Sequence, residues 1–310
     1  MSDSELSTSN NASTRVSAVF ACWPPGPDER EARRRISDAG METERVTRID
    51  CASMACILLD VDGVLHVSGE AIQGAQDAVA RRPGAGHALR FVTNNSTRPR
   101  AQLTEELSRL GFDLTEDELQ TPARAAAREL KGKRVFALVM SGVVPDLEGL
   151  ELVGEGAEAV LVGGCDETVE PNQVFRYMNL ARAFAEIQLG AELYCLHKNR
   201  WWQTSRGPLL DAGAFVAGLE YATGVEAVVL GKPSPAYFAA ALDALGAEPE
   251  RTWLVGDDPE SDIRGAQLFG MHTALVRTGK FRPDTLDGLD LTPDVVLSSI
   301  ADLPAWLERR

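Results

Sequence analysis

Four short stretches of the chain place reactive side chains just after apolar runs. They are Leu59-Asp60-Val61-Asp62-Gly63, Thr93-Asn94-Asn95-Ser96, Gly231-Lys232-Pro233 and Gly256-Asp257-Asp258, the last followed by Asp262. One carboxylate at such a place is usually a turn former or a helix cap. Two carboxylates, a hydroxyl with amides, a lysine and a second acidic cluster, in that order, suit phosphoryl transfer. Asp60 and Asp62, two carboxylates in one motif, are expected to serve different purposes. A carboxylate can attack phosphorus and become an aspartyl-phosphate. A second carboxyl group can protonate the leaving oxygen and then activate water. Carboxylates gathered this densely repel one another and the substrate unless a cation joins them. An all-oxygen ligand set favours Mg²⁺ over Zn²⁺. Lys232 would neutralise phosphate charge. The Thr93 hydroxyl and nearby backbone N–H groups would hold phosphate oxygens close to a helix N-terminus.

In an open α/β sheet, residues of this kind converge beyond the carboxyl ends of the strands. Apolar runs at 55–60, 88–93, 226–231, 251–256 and 272–277 read as strands. The text between them predicts helices over 70–82, 97–110, 116–130, 234–245 and 259–269. Thr97 is the expected cap of the second helix, with Pro99 in its first turn, Leu103, Leu107 and Leu110 on one face and Gly111 as its stop. Ser234 and Pro235 open another, whose apolar face is Phe238, Ala241, Leu242 and Leu245. Strand–helix alternation implies a doubly wound, Rossmann-like parallel sheet covered on both faces. Thr93 and Lys232 stand 139 positions apart, whereas two βα units need only about 60. The surplus is an inserted α/β cap domain. Its strands are expected at 157–164 and 191–197, and its helix at 171–188 with Val174, Met178, Ala181 and Ala185 on one face. The expected division is a core of 54–131 and 227–310 and a cap of 132–226. Residues 1–53 are Ser/Thr/Asn-rich, then Pro-rich, then charged, which predicts a disordered arm.

The stretches Asp60-Val61-Asp62-Gly63-Val64-Leu65, Thr93-Asn94-Asn95-Ser96, Gly231-Lys232-Pro233-Ser234 and Gly256-Asp257-Asp258…Asp262 together resemble the four motifs of the haloacid dehalogenase (HAD) superfamily. The resemblance covers about residues 55–308. It implies a phosphatase acting on a small phosphorylated substrate, with Asp60 as nucleophile and Asp62 as general acid and base. It implies Thr93 and Asn94 as phosphate holders and Lys232 as charge neutraliser. It also implies Mg²⁺ held by the Asp60 side chain, the Asp62 backbone carbonyl and Asp257, with Asp258 and Asp262 in supporting positions. The dehalogenase branch lacks the second Asp of the pair, and the ion pumps carry Lys-Thr-Gly-Thr after the nucleophile; neither pattern stands here. The place of the insertion resembles the class IIA phosphatases, as do Val144-Pro145-Asp146-Leu147-Glu148-Gly149, His197-Lys198-Asn199-Arg200-Trp201-Trp202 and Gly218-Leu219-Glu220-Tyr221-Ala222-Thr223. The cap should close over the substrate and exclude water. Trp201 and Trp202 are candidates for stacking on a substrate ring, or for packing between cap and core. A homodimer through the cap is a further expectation. The alternatives are a phosphotransferase, and a binding protein that kept the fold and lost turnover; the complete carboxylate and lysine set argues against the second.

Lys plus Arg number 31 against 46 Asp plus Glu, a net charge of −15. That balance disfavours a nucleic-acid binder and docking on an anionic membrane. No apolar run approaches the ~18 residues of a membrane span. The five Cys are scattered without zinc-site spacing, so inert thiols and a cytoplasmic location are expected. His66 and His197 read as structural or exposed. The run Gly154-Glu155-Gly156-Ala157-Glu158-Ala159 half-matches a dinucleotide fingerprint, but strand text follows it rather than a helix. Asp284, Asp287 and Asp290 read as surface charge.

Overall fold

The computed structural model describes residues 56–81, 88–204, 207–282 and 292–309. The expected arm 1–53 and the trio Asp284, Asp287 and Asp290 lie outside the described residues. In chain order the described strands are β1 (Cys56–Asp60), β2 (His66–Val67), β3 (Glu70–Ala71), β4 (Ala88–Val92), β5 (Leu119–Gln120), β6 (Arg134–Leu138), β7 (Glu151–Leu152) and β8 (Ala159–Val162). They continue with β9 (Glu192–Cys195), β10 (Trp201–Thr204), β11 (Gly207–Leu210), β12 (Val228–Val229), β13 (Thr252–Gly256), β14 (His272–Val276) and β15 (Val295–Leu297).

The Cys-Ile-Leu-Leu text of β1 is buried on both faces, as a central parallel strand requires. It lies inside a six-stranded sheet ordered β15-β14-β13-β1-β4-β5, all of it parallel. Cys56 pairs with both Thr252 and Ala88, so β1, β13 and β4 end at one level. Asp60, Thr93 and Asp257 therefore emerge side by side. One face of the sheet is covered by Val79, Leu103, Leu107 and Trp306, the other by Tyr237, Phe238, Leu242 and Ala266. Burial of each large apolar side chain contributes about 1.5–3 kcal/mol, which holds the strand ends rigidly in place.

A second parallel sheet has the order β12-β9-β8-β6-β7. On one of its faces Val160, Val162 and Leu193 meet Ala183 and Ile187 of helix Tyr177–Gln188 and Val216 of helix Gly213–Thr223. On the other, Val135, Leu161 and Tyr194 meet Ala123 and Ala126 of helix Pro122–Glu129. That helix thus serves both sheets, because Ala125 on its next position packs with Tyr237.

Several elements differ from the sequence expectation. Segment 70–82 opens as an antiparallel ribbon of β2 and β3, turning at Ser68 and Gly69, and its helix is only Ala75–Ala80. Helix Arg100–Arg109 starts after Pro99, and Thr97 does not cap it. Asp146, distant in sequence, accepts the Arg100 N–H at 2.8 Å instead. Segment 116–130 divides into a 3₁₀ turn, β5 and helix Pro122–Glu129. Pro122 cannot continue a preceding helix, and Thr121 Oγ1 caps the new one by accepting from Arg124 N. Segment 171–188 divides into Pro171–Val174 and Tyr177–Gln188, whose buried face is Ala183, Glu186 and Ile187, while Met178 is exposed. Glu186 holds a core-facing position because its carboxylate accepts the N–H groups of Gly156 and Ala157. Val228–Val229, expected with the core, pairs with β9 of the second sheet. Cys56, Cys165 and Cys195 are buried and unpaired, and burial pushes each thiol up to about 12.

Candidate active site

Asp60 is the last residue of β1, and its side chain is buried. Lys232 reaches it from the segment that follows β12: its Nζ lies 2.5 Å from Asp60 Oδ1 and 2.7 Å from Asp262 Oδ1. The backbone of Lys232 is gripped by Asn94, whose Nδ2 donates to Lys232 O at 2.9 Å and whose Oδ1 accepts from Lys232 N at 2.8 Å. Both ends of the Asn94 amide are thereby used. The residue expected to hold phosphate spends its side chain on placing the lysine.

Asp257 and Asp258 follow β13. Asp258 caps the next turn, its Oδ1 accepting from Glu260 N and Ser261 N at 3.0 and 3.1 Å. Asp262, fully buried, accepts from Asp258 N through Oδ2. Gly256 is required beside it, since a Cβ there would collide with the Asp262 side chain. Asp257 Oδ2 accepts from Lys280 N at 2.6 Å, while its Oδ1 is buried with no partner. Gly63 and Gly279, both at positive φ, lie against this carboxylate so closely that neither position has room for a Cβ. Thr278 Oγ1 ties the two loops by donating to Gly63 O at 2.5 Å. One oxygen from each of Asp60, Asp257 and Asp262 falls within 4.8 Å of the others.

The charge balance of this group is unfavourable without a further cation. Burial pushes the Asp60 carboxyl well above its ordinary range, and Asp262 adds to the effect while Lys232 opposes it. Burial and then Asp262 raise Asp257 to about 7. Burial alone would lower the Lys232 amine, but Asp262 and Asp60 hold it well above its usual value, so it stays charged. Three carboxylates face one ammonium. The unpartnered Asp257 oxygen, the all-oxygen donor set and the glycine-lined approach fit a hard divalent cation such as Mg²⁺. Asp262 is already engaged by Lys232 and Asp258 N, which leaves Asp60 and Asp257 as the side chains best placed to ligate.

Asp62 lies elsewhere. Its side chain is 59% exposed, with Oδ1 3.8 Å from His66 Nε2 and Oδ2 accepting from Thr93 Oγ1 at 3.2 Å. The two aspartates of the first motif thus occupy a buried and a solvent-facing position. The Thr93 loop is anchored by the buried Tyr237 hydroxyl, which accepts from Thr93 N at 2.9 Å and lies 2.8 and 2.9 Å from the carbonyl oxygens of Thr93 and Gln120. From the second sheet, Leu196 O abuts Gly231, and His197 Nε2 and Ser96 Oγ both abut Gly164. His197 is buried, its Nδ1 accepting from Asn199 N and standing 3.8 Å from Asp211 Oδ2. Trp201 and Trp202 sit on the β10–β11 ribbon, opposite Leu210 and Leu209. Trp201 is exposed, and the Trp202 Nε1 is buried without a partner. Among the described residues no hydrogen bond or ring contact joins either indole to the carboxylate group.

Sequence reading missed Tyr237, the Thr278–Lys280 loop and the Asn94 grip. A signal for the loop was present: it follows β14, which neighbours β13, so its residues had to stand beside Asp257.

Residues 57–153 match the family model for haloacid dehalogenase-like hydrolases, and residues 229–303 match a second, HAD-hydrolase-like model. The chain is 39% identical to the phospholysine phosphohistidine inorganic pyrophosphate phosphatase of Xenopus laevis over 255 residues, covering 79% of this chain and 91% of that protein. It is 37% identical to haloacid dehalogenase-like hydrolase domain-containing protein 2 of Homo sapiens over 251 residues, covering 80% and 94%. Among solved structures, a p-nitrophenyl phosphatase from Archaeoglobus fulgidus superposes with a TM-score of 0.74 at 29% identity, covering 83% of this chain and 99% of that one. A glycerol phosphate phosphatase from Mycobacterium tuberculosis in complex with magnesium gives 0.72 at 27% identity, covering 82% and 77%.

Proposed function

The chain belongs to the haloacid dehalogenase-like hydrolases, and from that premise we propose that it is a Mg²⁺-dependent phosphatase that hydrolyses a small phosphorylated molecule through an aspartyl-phosphate on Asp60. One observation carries the reading: the buried Lys232 amine contacts Asp60, and Asp257, one oxygen of which has no partner, stands in the same carboxylate cluster. This supports a nucleophile whose charge is balanced before substrate arrives. Asp60, Asp257 and the Asp62 backbone carbonyl would hold the ion, which when bound neutralises phosphate charge and orients the substrate.

The residues of the chain divide the remaining work. Asp60 attacks phosphorus, and the leaving oxygen departs from the opposite side. The exposed Asp62 carboxyl delivers a proton to that oxygen, then takes one from the water that attacks the phosphoenzyme. The Thr93 hydroxyl, donating to Asp62, keeps that carboxyl aimed, and would turn its single proton to the phosphate once Asp62 is itself protonated. The N–H groups of the Asn94–Asn95 loop and the Lys232 amine stabilise the equatorial oxygens. The second sheet, packed over Gly231 and Ser96, would shut the site from water. The named relatives act on phospholysine, phosphohistidine and pyrophosphate or on nitrophenyl phosphate, so a phosphomonoester, a phosphoamide or pyrophosphate is the proposed substrate class.

Turnover of nitrophenyl phosphate tests the proposal. Exhaustive chelation should abolish it and Mg²⁺ add-back should restore it, while Asp60→Asn should be inactive on every substrate. Full activity of either the chelated protein or Asp60→Asn would refute it.

A further inference from the structure

The helix face of the core sheet holds a charge that the site above does not use. Arg90 stands mid-strand on β4, on the same side as Val92 and hence toward Tyr237. It is only 8% exposed. Its Nη2 donates to Gln120 Oε1 at 3.3 Å, a neutral acceptor, and its Nε is buried with no partner. No carboxylate among the described residues pairs with it. Arg124, in the first turn of helix Pro122–Glu129, is half-buried, and its guanidinium also lacks an acceptor among the described residues. A third arginine nearby, Arg100, is already committed to Asp146 Oδ1 and Glu116 O. Burial draws the Arg90 guanidinium below its usual range; Tyr237 opposes this, and Arg100 and Arg124 add to the lowering.

Charged groups this deeply buried are paired or bind an ion, because desolvation without a partner is expensive. The contrast inside the protein is instructive. Lys232 is also buried and has two carboxylates within ion-pair distance, whereas Arg90 has a single neutral amide. We propose that Arg90 and Arg124, beside Gln120, bind a small oxyanion of the carboxylate or phosphate kind, at a site separate from the Asp60 group. The guanidinium fork matches either anion with paired N–H donors. Arg90 keeps an edge toward solvent, and Arg124, one turn beyond Gln120, is half open. The site also has a physical link to the catalytic loop. The carbonyl of Gln120 accepts from Thr93 N at 3.1 Å, so the residue that touches Arg90 also fixes the Thr93 backbone.

Melting of the full-length protein tests this, with chloride replaced by sulfate or by acetate at constant ionic strength. The wild type should melt higher in at least one of the two oxyanions, and which one acts identifies the chemistry. Arg124→Gln should lose at least half of that rise. Its inhibition by phosphate in nitrophenyl phosphate turnover should stay unchanged, which separates this site from the catalytic one. If the protein turns nothing over, the melting comparison still decides the matter. Arg90→Met should lose the anion-dependent rise yet melt in chloride at or above wild type, because an apolar side chain removes an uncompensated charge. The proposal is overturned if neither oxyanion raises the wild-type melting point, or if all three proteins respond equally. It is equally overturned if Arg90→Met melts lower in every salt while Arg124→Gln behaves as wild type, since Arg90 is then a packing residue.

Discussion

Deprived of divalent metal, the protein should lose stability as pH rises toward neutrality, and Mg²⁺ should return what is lost. The origin is Asp257, raised from an ordinary 3.8 to about 7 by burial and by Asp262. Between those two values the folded chain holds a proton that the unfolded chain has released, so stability falls as pH climbs through that window. Each pKa unit corresponds to about 1.4 kcal/mol, so Asp257 alone carries on the order of 4 kcal/mol. For a chain of this size 1 kcal/mol moves the melting point by roughly 2–4 °C, which makes the expected fall roughly 10 °C between about pH 4 and 7. His197 works in the opposite sense, because burial lowers it from an ordinary 6.5; that opposing contribution is complete by about pH 6.5. Mg²⁺ competes with the proton for the same oxygen, so its stabilising effect should grow with pH. The assay is a set of thermal melts in chelator and in Mg²⁺. Asp257→Asn mimics the protonated acid. It should melt like wild type near pH 4, exceed the chelated wild type near pH 8 and gain little from Mg²⁺. A melting point that is flat or rising between about pH 4 and 7 in chelator, or equal Mg²⁺ stabilisation of Asp257→Asn, would refute the reasoning.

Asp62→Asn should lose nearly all turnover of alkyl phosphates, general-acid assistance being worth ~10²–10⁴-fold. Nitrophenyl phosphate, with its good leaving group, should give a burst of nitrophenol and then stall with phosphate on Asp60; equal losses on both substrates without a trapped phosphoenzyme would contradict the division of roles. Asn94→Ala removes both bonds to the Lys232 backbone, so stability should fall by about 2 kcal/mol and kcat should drop more than KM. Gly279→Ala would drive a Cβ into Asp257 at a backbone φ of 60. It should raise the Mg²⁺ concentration for half-maximal activity by ~10–100-fold, the usual effect of disturbing a ligand's support, and an unchanged requirement would show that the loops can separate without consequence.

The four strand ends were legible in the sequence because alternating apolar runs and helices admit essentially one sheet, and that sheet brings its carboxyl ends together. Asp60, Thr93 and Asp257 needed no more than this. Lys232 was recognisable by type, but the strand before it joins the second sheet, since a two-residue strand takes whichever neighbour offers an edge. What stayed hidden depends on contacts distant along the chain. Asp146 caps a helix from 46 positions away, so no local pattern at Thr97 could reveal it. Glu186 sits on a buried face because two backbone N–H groups receive it, a circumstance that hydropathy reads with the wrong sign. The family resemblance implied Asn94 as a phosphate holder, and only the fold shows its side chain engaged with the Lys232 backbone.

The insertion has a consequence for how the protein is made. β1 lies between β4 and β13, yet the ribosome delivers β13 only after the entire second sheet. Until then β1 carries an unpaired edge of Ile and Leu, the kind of edge that invites aggregation. The second sheet is one continuous run of chain and can close its own pairings while it emerges. Its packing on helix Pro122–Glu129 gives the unfinished core an early partner. Asp60 is synthesised early, but Lys232, Asp257 and Asp262 arrive near the end. Chemical competence therefore waits for β13, and a nascent chain stalled before it holds Asp60 and Lys232 but neither Asp257 nor Asp262.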